Sequence, residues 1–236
     1  MAKIMGIINL TPDSFYEPSR YNFSILDSDA DIVDIGAVST RPGYAEIPME
    51  EEWERLEPFL KNLRTEKTIS IDTTRAEIVR RAYGIIGPFI INDISAGEDD
   101  REMLPLAGRL ALPFIAMHRY PSSRDISAYF REFEAKAEVF GIENWILDPG
   151  FGFNKDENEN MHILERLEEF KAFNRPVLVG VADKRFTRTA FGSADGIDGT
   201  EAAHLLALRH GADILRVHDV KKARRTVRLF EKMSLK

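Results

Sequence analysis

Asp72, Asn92 and Asp148 each stand at the end of a short apolar run, and Lys184 follows the seventh such run. A carboxylate or amide drawn into an apolar surrounding loses free energy unless it finds a hydrogen-bond partner. A nitrogen heterocycle with an amidine-like edge would supply one, because its N–H groups donate to two carboxylates while Lys184 complements a ring carbonyl. Taken singly, any of these acids or amides could cap the helix that follows it. Three of them at equivalent strand ends point instead to a shared ligand. Arg216 and His218 alternate in the eighth run, so their side chains fall on one face, and a helix start at Val220 to Lys222 lies just beyond. Basic side chains beside helix N–H groups make a phosphate site, and Arg41, in the loop after the second run, can reach over the same anion. The later run Lys221, Lys222, Arg224 and Arg225 reads as a solvated helix face.

These residues are held by eight short apolar runs, each ending in a polar position: Lys3 to Asn9, Asp31 to Gly36, Thr68 to Asp72, Pro88 to Asn92, Leu112 to His118, Asn144 to Asp148, Pro176 to Val181 and Asp213 to His218. Eight β-like runs separated by helix-length segments predict a TIM (β/α)8 barrel, whose active site is built by the loops after the strand C-termini. Asn9, Asp34, Asp72, Asn92, His118, Asp148 and His218 would then share one rim. Apolar spacing predicts helices over Glu50 to Leu63, Ser127 to Phe140 with Gly141 as its stop, Met161 to Phe173, Thr200 to His210 and Val220 to Met233. Only about twenty residues, rich in turn formers, join the first run to the second. The first helical unit is therefore abbreviated, with Ser24 to Asp29 making a turn or two. Thr11 to Phe23 is left as a long mouth loop of the kind that acts as a lid.

A chain of 236 residues with 44% hydrophobic content suits one barrel domain spanning residues 1–236. With no cysteine there is no disulfide, thiolate or Cys-based zinc chemistry, and a cytoplasmic location is expected. The apolar start, Met1 to Leu10, is too short to span a bilayer and lacks a cleavage signal, so no membrane association is expected. A net charge of -7 argues against broad nucleic-acid binding, although a local basic pocket can still hold an anion. Asn9 occupies the place where an amidohydrolase barrel needs a His-x-His pair. Gly150-Phe-Gly152 lacks the third glycine of a dinucleotide fingerprint, and no Gly-x-Ser-x-Gly elbow occurs.

Six segments, in order, carry a resemblance. They are Met5-Gly-Ile-Ile-Asn-Leu-Thr-Pro-Asp-Ser-Phe15, Asp34-Ile-Gly-Ala-Val-Ser-Thr-Arg-Pro-Gly43, Ser70-Ile-Asp-Thr73, Ile91-Asn-Asp-Ile94, Asp148-Pro-Gly-Phe-Gly-Phe153 and Arg216-Val-His-Asp-Val220. Together they resemble the dihydropteroate synthase family, pterin-binding enzymes of folate biosynthesis. The resemblance implies condensation of 6-hydroxymethyl-7,8-dihydropterin pyrophosphate with 4-aminobenzoate to give 7,8-dihydropteroate and pyrophosphate. It implies that Asp72, Asn92, Asp148 and Lys184 hold the pterin, and that Asn9, Arg41, Arg216 and His218 hold the pyrophosphate. It further implies that Asn9 ligates a Mg2+ shared with that group. Asp13, Arg41 and Lys184 are the implied catalytic residues, Asp13 stabilising a pterin cation formed once the leaving group has departed. Thr40, Pro42 and Phe153 would shape the aminobenzoate pocket, and a homodimer through late helices is implied.

The chain also departs from the family pattern. Tyr16-Glu17-Pro18-Ser19 replaces an acidic residue and two glycines, and Ala182-Asp183-Lys184-Arg185 replaces Ser-Arg-Lys-Ser. Val38 stands where an acid is usual, and the first and fifth helical units look short. Three readings follow: a working synthase, a catalytically weak homologue that binds a pterin without completing the condensation, and a pterin-dependent corrinoid methyltransferase. The last has no use for Asn9 with magnesium or for Arg216 with His218.

Overall fold

The computed structural model describes residues 1–11, 23–38, 47–181 and 199–234. Eight parallel strands form the sheet: β1 (Lys3–Asn9), β2 (Ile32–Gly36), β3 (Thr68–Asp72), β4 (Ile90–Asp93), β5 (Phe114–Met117), β6 (Trp145–Asp148), β7 (Leu178–Val179) and β8 (Ile214–Val217). Their order is β6-β5-β4-β3-β2-β1-β8-β7. A single parallel bridge between Leu147 and Val177, backed by the Leu147 N–H donating to the Pro176 carbonyl at 2.9 Å, brings the two edges together. The ring is the barrel that the eight runs predicted. β2 is buried at all five positions because a parallel strand is covered on both faces, by the barrel interior and by helices.

Around the strands stand α1 (Met49–Asn62), α2 (Ala76–Ile86), α3 (Met103–Arg109), α4 (Ile126–Phe140), α5 (Glu157–Glu165), α6 (Gly199–Arg209) and α7 (Val220–Ser234). Acidic Glu50, Glu51 and Glu52 in the first turn of α1 suit the positive end of the helix dipole, and Trp53, Leu56 and Leu60 form its buried face. α4 begins at Ile126, one residue before the expected Ser127, where Asp125 accepts from the Ala128 N–H, and it ends at left-handed Gly141 as expected.

Three expectations change. The abbreviated first unit is a 3-10 turn over Phe23–Asp27, one residue earlier than expected. It lies so close to β1 that a Cβ on Gly6 would stand 2.8 Å from Ile25 Cγ2. The fifth unit is not short, since α4 has 15 residues; the short one is the fourth, where α3 has 7. The helix expected over Met161 to Phe173 is two pieces. A capping box of Asp156 and Glu159 starts α5 earlier, and the chain tightens after Arg166 into a 3-10 turn over Leu167–Phe173. There the buried Leu167 and Phe170 are three residues apart, the 3-10 period.

Met5, Ile32, Ile90, Ile115, Ile146, Leu178 and Ile214, one from each strand except β3, form a separate apolar cluster. This is the floor of the barrel. Side chains alternate along a strand, so the position two residues further on each strand points into the same interior, one layer higher.

Candidate active site

That higher layer is apolar at Ile7 and Met117 but polar on five of the other strands. Asp34 on β2, Asp72 on β3, Asn92 on β4, Asp148 on β6 and Arg216 on β8 all occupy it. Arg216 reaches β2 and β3 past the intervening β1, which it can do only through the barrel interior. Its Nε donates to Asp34 Oδ2 at 2.7 Å, and Nη2 lies 2.6 Å from the same oxygen and 2.7 Å from Asp72 Oδ2. Asn92 Nδ2 donates to Asp34 Oδ1 and Oδ2 at 3.2 and 3.1 Å. The guanidinium expected in a strand thus has its partners, and they are carboxylates; among the described residues no hydrogen bond uses the two N–H groups on Nη1.

Burial raises the Asp72 carboxyl well above its ordinary value; Arg216 opposes that shift, and the neighbouring Asp34 charge adds to it. Burial pulls the Arg216 guanidinium down, but Asp34, Asp72 and Asp148 together outweigh it, so the group stays charged. Asp72 Oδ1 is buried and meets no donor among the described residues. Asp148 is 8% exposed and accepts from the Gly150 N–H at 2.8 Å. Three carboxylates around one guanidinium leave an excess of acceptors, which suits a ligand edge made of N–H groups.

Asn9 ends β1 half-buried, and His218 stands just past β8, also half-buried and two residues beyond Arg216. Phe153, half-buried, closes a turn by donating its N–H to the Gly150 carbonyl at 3.2 Å. Asp13, Thr40, Arg41, Pro42 and Lys184 lie outside the described residues, as does most of the mouth loop expected over Thr11 to Phe23.

His118 is a correction to the shared rim. Ile115 and Met117 take the inner positions of β5, so His118 falls on the opposite face, fully buried against α4. Its ring meets Tyr129 and Tyr120 edge-on, with centroids 5.0 and 5.9 Å away.

Other residues hold the rim in shape without having drawn notice in the sequence. Buried Lys155 donates to the carbonyls of His118, Gly150 and Phe153 at 2.8, 3.0 and 3.1 Å, tying the loop after β5 to the loop after β6. Those loops touch closely at left-handed Gly150, where a Cβ would stand 2.1 Å from the His118 carbonyl oxygen. Both flanks of residues 39–46 are gripped by arginines. Arg55 donates to the Ala37 carbonyl at 3.1 Å, and Arg75 to the Ile47 carbonyl at 2.6 Å. Arg75 is itself held by buried Glu52 at 2.7 Å, which also accepts from Thr73 at 2.7 Å. A signal existed for Asp34, a charge inside the otherwise apolar β2; nothing in the spacing of Glu52, Arg75 or Lys155 marks them.

The pterin binding enzyme family model matches residues 5–218. The chain belongs to the pterin binding enzyme family. The matched span runs from β1 to His218 and so contains every candidate site residue of this family member. It is 36% identical to the dihydropteroate synthase of Escherichia coli strain K12 over 256 aligned positions, covering 97% of this chain and 90% of that protein. Among solved structures it is similar to Xanthomonas albilineans dihydropteroate synthase with 4-aminobenzoic acid. There the TM-score is 0.88 at 32% identity, over 99% of this chain and 93% of that one. The same bacterial enzyme in complex with 7,8-dihydropteroate gives a TM-score of 0.86 at 30% identity, over 99% of this chain and 94% of that one.

Proposed function

We propose that this chain is a dihydropteroate synthase, a transferase of folate biosynthesis carried by one barrel domain over residues 1–236. It joins 6-hydroxymethyl-7,8-dihydropterin pyrophosphate to 4-aminobenzoate and releases pyrophosphate. The observation that carries this reading is the polar layer above the barrel floor, where Asp72 keeps a buried acceptor oxygen beside Arg216 and Asn92. Relatives across nearly the full chain support it, among them the Xanthomonas albilineans enzyme, solved with 4-aminobenzoic acid and in complex with 7,8-dihydropteroate.

In this reading Asp72, Asn92 and Asp148 receive the N–H edge of the pterin, and Lys184 meets its carbonyl. The pyrophosphate lies toward Asn9, Arg41, Arg216 and His218, with Nη1 of Arg216 as its donor. Charge developing on the pterin as pyrophosphate leaves is met by Asp13, in a site where low water content strengthens each interaction. Thr40, Pro42 and Phe153 guide the arylamine. Asn9 offers one hard oxygen at the end of β1, which fits a magnesium ion that takes few protein ligands and completes its shell with phosphate and water. Such an ion would neutralise charge on the departing group.

The substrates are small molecules, and neither nucleic acid nor membrane is needed. Among the described residues no helix is long and apolar enough to cross a membrane. The reaction belongs in the cytoplasm, where no disulfide is called for. A homodimer through the late helices is supported by Leu229 and Met233, which stand 50% and 62% exposed on α7. Light scattering at working concentration checks it.

The deciding experiment mixes the purified chain, magnesium and both substrates and follows pyrophosphate. Release that requires 4-aminobenzoate is expected. Binding of the pterin pyrophosphate without any turnover would leave a pterin-binding homologue, and binding indifferent to the pyrophosphate group would favour the methyltransferase class.

A further inference from the structure

We propose that Asp34 is a positioning residue that sets the pterin affinity of this site, by holding Arg216 away from full pairing with Asp72 and by fixing which end of the Asn92 amide faces the ligand. The proposal rests on the pterin-site reading above.

Asp34 is 0% exposed, and both of its oxygens are engaged within the protein. Oδ2 receives Arg216 Nε and Nη2 at 2.7 and 2.6 Å and Asn92 Nδ2 at 3.1 Å, while Oδ1 receives Asn92 Nδ2 at 3.2 Å. Its contacts among the described residues are thus to neighbouring side chains of the same layer. The guanidinium is shared unequally: two of its nitrogens serve Asp34, and only Nη2 serves Asp72, at 2.7 Å through Oδ2. Asp72 Oδ1 is left buried without a donor among the described residues, and that atom is the acceptor a pterin N–H needs.

Removing the Asp34 charge changes both arrangements. Arginine and carboxylate prefer a two-pronged pairing, so a guanidinium released from Asp34 turns both prongs to Asp72 and occupies Oδ1. The pterin must then break an ion pair to bind. Asn92 is affected by a different route. A carboxylate only accepts, so Asp34 compels Asn92 to present its NH2 inward and leaves the amide oxygen for the ligand. An amide at position 34 imposes no such choice.

The test measures kcat and KM for each substrate in the full chain and in Asp34→Asn and Asp34→Glu variants, with circular dichroism melts as the control for folding. For Asp34→Asn, KM for the pterin pyrophosphate is expected to rise about tenfold or more, with kcat and the aminobenzoate KM changing less than about threefold, the split expected of a lost ground-state contact. Asp34→Glu keeps the charge and should recover part of that loss. A folded Asp34→Asn protein with unchanged pterin KM overturns the proposal, as does an equal loss in kcat and both KM values. If Asp34→Asn does not fold, Asp34→Glu decides: a raised pterin KM alone supports the proposal, and an unchanged one overturns it. A native chain that neither turns over nor binds the pterin pyrophosphate in a calorimetric titration removes the synthase reading instead.

Discussion

One barrel carries two interior layers, two residues apart on β2, β4, β6 and β8, with opposite chemistry. The lower one joins Met5, Ile32, Ile90, Ile115, Ile146, Leu178 and Ile214 into an apolar cluster. The upper one ties Asp34 to Asn92 and to Arg216, and Arg216 to Asp72, with Asp148 nearby. Apolar packing in the lower layer stabilises the fold with no partner to satisfy. The upper layer takes charges out of water, and a buried ion pair seldom recovers that desolvation by its own attraction. The floor serves the fold, while the layer above gives up stability so that acceptor atoms stand ready for a ligand.

Removing Arg216 is the harshest way to break this contrast. Arg216→Met leaves Asp34 and Asp72 buried without their cation, and a loss of about 3 to 5 kcal/mol in urea unfolding is expected, along with catalysis. On the floor, Ile115→Ala should cost about 2 to 4 kcal/mol through a cavity, yet the folded fraction should bind pterin pyrophosphate as before. Pterin affinity falling equally in both variants would mean that the two layers are not functionally separate.

Asp72→Asn sharpens the contrast from the other side. It removes one of two carboxylates that share a guanidinium, so stability should stay within about 1 kcal/mol of the native protein or increase. Pterin binding, by contrast, should weaken by about a hundredfold, because the amide supplies a donor where the pterin N–H also donates. Melting as severe as that of Arg216→Met would show that Asp72 is held for the fold.

The same carboxyl gives a pH signature. Its folded value is raised from 3.8 by burial first, with Arg216 opposing. A raised value means that the folded state binds the proton more tightly than the unfolded chain does. The stability tied to it is fully present below 3.8 and is lost as pH rises through the folded value. The Asp72→Asn variant, lacking that group, should therefore gain on the native protein as pH climbs toward neutrality. Pterin affinity of the native protein should rise over the same window, because ionisation removes the carboxyl O–H donor and makes both oxygens stronger acceptors. Parallel pH trends in the two measurements would count against Asp72 as the acceptor.

Much of this was legible beforehand. The runs of β1 to β8 and the stop at Gly141 follow from local pattern, and the alternation of Arg216 with His218 predicted a shared face. Asp72, Asn92, Asp148 and Arg216 were expected at one mouth, and they occupy one layer. What one run cannot show is which residue another run will bring to it. The sequence pattern points Arg216 at an anion, yet its Nε and Nη2 are taken by Asp34 and Asp72, from strands far away in sequence. Lys155 and Arg75 act through carbonyls of distant loops, and a carbonyl is carried by every residue type. A run ending at His118 puts that residue on the rim, but β5 ends at Met117, and one residue reverses the face.

The face that His118 takes also shows in the acid response of the fold. Burial first, then Lys155 and Arg124, lower the His118 imidazole to about 4 from the usual 6.5. The folded protein keeps it neutral against Tyr120 and Tyr129, while the unfolded chain takes up its proton near pH 6.5. A lowered value makes the unfolded state the stronger proton binder between those limits. Stability tied to this group is therefore full above pH 6.5 and is lost as pH falls through 4. Allowing for solvent screening, the loss is roughly 1 to 2 kcal/mol. His118→Phe keeps an aromatic ring between β5 and α4 and has no proton to bind, so its urea midpoint should fall less between pH 6.5 and 4 than that of the native protein. Its pterin affinity at neutral pH should be unchanged, because the ring faces away from the polar layer. An acid response identical to the native one would place the sensitivity in the carboxylates, and a loss of pterin affinity would return His118 to the mouth of the barrel.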